Sequence, residues 1–107
     1  MRIQEFRQYL ELKNPIEVQI RTKTKRDRDA DYRAVYDEAG ELKLHIIRLY
    51  GFIQNRGLES VIAHELIHAW QEENYIEEIH GKDFVKMAKQ MEKHFHLTQV
   101  YIPELDI

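Results

Sequence analysis

His64 and His68 bracket Glu65 in the run His64-Glu65-Leu66-Ile67-His68, and this H-E-x-x-H spacing is where chemistry is concentrated. Residues four apart on a helix lie one turn above each other, so the two imidazoles can address a single metal ion. Glu65 leaves the helix beside that stripe, where its carboxylate can serve as a base for an activated water. Neutral nitrogen ligands, an open coordination position and a carboxylate are the parts that zinc hydrolysis requires.

The element carrying these residues reads as a helix from Gly57 to about Asn74. Ile62, Leu66, Ala69 and Trp70 recur at helical spacing with Ala63 and Ile67 beside them, which predicts a broad buried face. Val61, His64, Glu65, His68 and Glu72 form the adjoining stripe. Two histidines leave a zinc site one protein ligand short of the usual three. Downstream candidates are Glu72, Glu73, Glu77, Glu78, His80, Asp83, His94 and His96. His80 is favoured because it opens His80-Gly81-Lys82-Asp83-Phe84, the start of a second amphipathic helix marked by Phe84, Met87, Ala88, Met91 and Phe95. Gly81 is read as supplying backbone freedom at the turn. Asp83 is placed to favour the exposed amides of the first helical turn.

HELIHAW followed by HGKDF resembles the SprT-like metalloprotease domain, the group that includes bacterial SprT and the eukaryotic Spartan proteases. The likeness is closest over residues 57–91 and extends more loosely back to about residue 32. It implies a zincin-like α+β fold, with His64, His68 and His80 holding Zn2+ and Glu65 as the catalytic base. It also implies a zinc metalloendopeptidase acting on proteins bound or crosslinked to DNA. Many such proteins carry a cysteine-rich zinc ribbon after the protease domain. This chain has no cysteine, so the expectation is a stand-alone minimal catalytic domain.

Composition sets the frame for that reading. A chain of 107 residues with 43% hydrophobic and 33% charged residues suits one domain, 1–107, with a modest core. No apolar run approaches membrane-spanning length, no signal peptide opens the chain and no disulfide is available, so cytoplasmic residence is expected. The net charge of −3 gives no global pull toward nucleic acid. Arg21, Lys23, Lys25, Arg26 and Arg28 cluster locally, but Asp27, Asp29 and Asp31 are interleaved and no aromatic residue offers a stacking platform. A solvated strand end is the plainer account of this stretch, and a phosphate-contacting loop the functional one.

Ahead of the metal helix the pattern predicts a helix over about residues 2 to 12, ended by Asn14-Pro15. Ile16, Val18 and Ile20 alternate with polar residues as a half-buried strand. Residues 22–31 read as a loop. Residues 32–36 and 42–49 read as a hairpin across the turn Asp37-Glu38-Ala39-Gly40, giving a small three-stranded sheet. The strand over 42–49 is the expected edge strand for holding extended peptide by strand addition. His45 within it is expected to be an exposed strand residue, and His94 and His96 structural or surface groups. Tyr75 and Arg48 are noted as oxyanion donors, with surface placement the plainer reading of each, and a short extended piece is expected near Val100-Tyr101-Ile102. The competing reading is a non-catalytic protein- or DNA-binding module that uses zinc only as a staple.

Overall fold

The computed structural model describes residues 2–21, 30–50 and 57–103. The order is α1 (Ile3–Leu10), β1 (Ile16–Arg21), β2 (Ala30–Tyr36), β3 (Leu42–Tyr50), α2 (Leu58–Glu73) and α3 (Lys82–Phe95). The molecule is α+β, as the sequence pattern predicts, with a mixed three-stranded sheet and three helices among the described residues.

Helices α1 and α3 stop in the same way. Glu11 and His96 take left-handed φ values of 55° and 57°, and the next amide reaches back to the last turn, Leu12 N to Arg7 O at 3.1 Å and Leu97 N to Glu92 O at 2.9 Å. This reversal satisfies carbonyls that a helix end leaves unpaired. Helix α2 runs unbroken because Leu, Ala, Glu and Ile dominate it, and Glu59 in its first turn complements the helix dipole. Ten of its residues are buried, so it forms the middle of the core. Phe6 and Leu10 of α1, Ile47 and Leu49 of β3, and Phe84, Ala88, Met91 and Phe95 of α3 close around it.

The strand order is β1-β3-β2, with β1 parallel and β2 antiparallel to β3. The hairpin of β2 and β3 is present, with an irregularity between Val35 and Tyr36. The expectation that residues 42–49 form an edge strand is corrected: β3 is the central strand, paired on both sides, so it has no free ladder for an added strand. Among the described residues the open edges are those of β1 and β2. The sequence concealed this because β1 pairs not with its successor but with the strand after it.

His45 is likewise corrected. It is fully buried, on the same face of β3 as Ile47 and Leu49. Leu42, Leu44 and Ile46 make the opposite face equally apolar in the sequence, so alternation alone does not choose which face meets the helices. Trp70 is half-buried against the core rather than inside it. Of the basic stretch Arg21–Arg28, only Arg21 is described, and it is exposed.

Candidate metal centre

Three imidazoles meet where α2 faces the start of α3. One ligand atom from each of His64, His68 and His80 lies within 4.8 Å of the others. His64 Nε2 is 3.3 Å from His68 Nε2 and 3.3 Å from His80 Nε2. Tetrahedral coordination with metal–nitrogen bonds of about 2.0–2.1 Å separates ligand nitrogens by roughly 3.3 Å. The two separations from His64 therefore match those of a metal-binding triad.

The opposite ring nitrogens decide which atoms carry lone pairs. His64 Nδ1 is 2.7 Å from Val100 O, a carbonyl that can only accept, so Nδ1 is the protonated nitrogen and Nε2 the basic one. His68 Nδ1 is 3.0 Å from Gln71 Oε1. The amide orientation follows from its other end, where Gln71 Nε2 donates to Glu78 O at 2.9 Å. With Oε1 thus the acceptor, His68 also carries its proton on Nδ1 and a lone pair on Nε2. Lone pairs turned toward one another at 3.3 Å call for a cation between them, and this donor set suits a borderline-soft transition metal.

Each part of the chain has a task in holding this arrangement. The i, i+4 spacing on α2 sets His64 and His68 one turn apart. Phe84, fully buried, touches all three rings, with centroids 4.8, 4.8 and 5.0 Å from His64, His68 and His80. It stacks on His68 and meets the other two edge-on. The aromatic residue of HGKDF is thus the floor under the cluster. Tyr101 flanks His80 with centroids 6.0 Å apart. Residues 97–103 of the tail form no paired strand. The tail is pinned to α2 by Ser60 Oγ donating to Thr98 O at 2.6 Å and to α3 by Val100 N donating to Glu92 Oε2 at 3.0 Å, which brings Val100 O to His64.

Gly81 is needed for a different reason from the one expected. Its φ is −79°, which any residue adopts. A Cβ there would lie 2.6 Å from Glu78 Cβ, so the turn that delivers His80 closes too tightly for a side chain.

Glu65 is 6% exposed, on α2 one residue after His64. Glu73 turns away from the cluster to His45, Lys13 and Asn14. Glu72 is half-buried, Glu77 and Glu78 are exposed, and Asp83 opens α3 in its first turn. His94 and His96 are exposed near the end of α3, as expected. Tyr75 is 92% exposed. Arg48 is engaged by Asp31, with Nε to Oδ1 at 2.6 Å and Nη2 to Oδ2 at 3.0 Å.

Sequence reasoning missed Gln71, the Val100 carbonyl and the buried His45. Gln71 was findable, since it lies three residues past His68 on the same helical face. A backbone carbonyl 36 residues downstream leaves no trace in residue type.

By fold and site, this is a small α+β domain whose central helix and following turn gather a histidine cluster able to hold a metal ion. A family model described as the SprT-like family matches residues 4–104, nearly the whole chain, and the chain belongs to that family. No curated protein and no solved structure matches it significantly. Among the described residues no helix is long and apolar enough to cross a membrane.

Proposed function

We propose that the protein is a zinc-dependent metalloendopeptidase, with His64, His68 and His80 as the metal ligands and Glu65 as the general base. The observation that carries this reading is the pair of tautomer locks, Val100 O on His64 and Gln71 on His68, which turn two Nε2 lone pairs toward a shared point with His80. Zinc bound there supplies Lewis-acid polarisation of the scissile carbonyl and lowers the pKa of water. Glu65 takes a proton from the attacking water onto its carboxylate and passes it to the departing amine nitrogen. Its burial, at 6% exposure, shields that exchange from bulk water. An extended polypeptide would add to the open edge of β2, the strand whose Tyr32 ring lies 6.4 Å from that of His68.

The test pairs two variants. Glu65→Gln retains about one zinc per chain and loses hydrolysis of unfolded β-casein, whereas His80→Ala loses or markedly weakens zinc binding. Full hydrolysis by Glu65→Gln rules out the mechanism. Zinc unchanged in His80→Ala moves the third ligand elsewhere.

The finer reading is that substrates are proteins bound or crosslinked to DNA. Lys82, Lys86, Lys89 and Lys93 support it. They are all exposed and stand at successive three- and four-residue steps along α3, a basic line about 16 Å long that begins two residues after His80. Phosphates attract such a line in a salt-dependent way. Duplex or single-stranded DNA then accelerates cleavage of a DNA-binding protein, and reversing Lys86 and Lys89 to Glu removes that gain. Cleavage indifferent to DNA leaves a general peptidase.

A further inference from the structure

A second polar cluster lies on the sheet side of α2, away from the histidine triad. Glu73, the last residue of α2, has a side chain only 9% exposed. Its Oε1 accepts from Lys13 N at 2.9 Å, and its Oε2 accepts from Asn14 N at 3.1 Å and from His45 Nε2 at 2.6 Å. His45, fully buried on β3, meets the Tyr32 hydroxyl of β2 through Nδ1 at 2.6 Å. One carboxylate on the metal helix thus holds the segment entering β1, the central strand and, through His45, the edge strand.

The direction of the bonds to Glu73 is determined. The Glu73 carboxylate, hydrogen-bonded to His45 and two amides, is held ionised and can only accept, so His45 Nε2 is a donor. In neutral His45 the remaining Nδ1 is an acceptor and the Tyr32 hydroxyl donates to it. Desolvation, with the negative charges of Glu72 and Glu73, pushes the Tyr32 hydroxyl well above the ordinary tyrosine range, so it keeps the proton it donates. Buried polar networks whose members are all satisfied rigidify a core and specify its arrangement.

We infer that Glu73, His45 and Tyr32 are positioning residues that set the height of open strand β2 against the histidine cluster, and so align an extended polypeptide for attack. The inference rests on the peptidase reading above. Tyr32 links the two regions directly, with its hydroxyl tied to His45 and its ring tilted 31° to that of His68. The backbone groups of β2 that would hold a substrate survive when the Tyr32 oxygen is removed. Binding is then kept and alignment lost, and a misplacement of about 1 Å costs on the order of a hundredfold in rate.

The experiment uses the full chain loaded with zinc and compares Tyr32→Phe and Glu73→Gln with wild type. Tyr32→Phe removes a single oxygen and keeps the packing, so it folds where a larger change at His45 would not. Expected are unchanged zinc content, a fall in kcat on β-casein of about 10- to 100-fold with KM within about twofold, and faster amide hydrogen exchange in β2 but not in α2. A lowered melting temperature with kcat per folded molecule unchanged would reduce the cluster to a structural tie and overturn the inference. Unchanged exchange in β2 would overturn it equally. If wild type does not cleave β-casein, the peptidase reading fails, and the exchange comparison still decides whether the cluster sets β2.

Discussion

Replacing Gln71 by leucine tests whether the metal site depends on its orienting groups as well as its ligands. Gln71 is 3% exposed and works at both ends, accepting from His68 Nδ1 at 3.0 Å and donating to Glu78 O at 2.9 Å. The first bond fixes the tautomer and rotation of His68. The second ties α2 to the turn that delivers His80. Leucine keeps similar bulk and removes both. Loss of such an orienting partner costs about 10- to 100-fold in metal affinity, or about 1.4–2.7 kcal/mol. The assay is zinc competition against a chromogenic chelator at constant pH, because ligation releases protons. Gln71→Glu separates the two roles: it retains an acceptor for His68 but turns an oxygen toward Glu78 O. It should bind zinc more tightly than the leucine variant while unfolding at lower temperature than wild type. Zinc affinity of Gln71→Leu within about twofold of wild type, in a folded protein, would refute the claim that these bonds organise the site.

Two further outcomes follow from the packing and the charges. Phe84→Ala empties the floor beneath all three imidazoles, so thermal unfolding of the metal-free protein should show a loss of about 3–5 kcal/mol, with zinc affinity falling in parallel. For Glu73, burial raises the carboxyl pKa, but hydrogen bonds from His45, Lys13 and Asn14 outweigh it and hold the folded value below the ordinary 4.5. The folded state therefore binds fewer protons than the unfolded chain, and this contribution is present above about pH 4.5 and lost as pH falls through the folded value. In urea unfolding of the metal-free protein from about pH 5 down to pH 3, Glu73→Gln should show a shallower loss of stability than wild type. Equal slopes would mean that the cluster does not hold the carboxylate ionised.

The sequence alone determined what depends on local periodicity. A helix repeats every 3.6 residues and a strand every two, so His64 and His68 declared their shared face, Phe84 through Phe95 declared a packed helix, and residues 32–49 declared a hairpin. His80 was legible because it opened that helix beside a glycine. The tertiary structure decided what depends on partners far apart in the chain. Strand order was one such matter: β1 pairs with β3, and both faces of β3 are apolar in the sequence, so neither its central place nor the burial of His45 could be read from alternation. The pairing of buried polar groups was the other. Val100 O lies 36 residues from His64, and Glu73 28 residues from His45. Such bonds form only once the core has closed, when packing rather than residue spacing dictates which buried polar groups must satisfy one another.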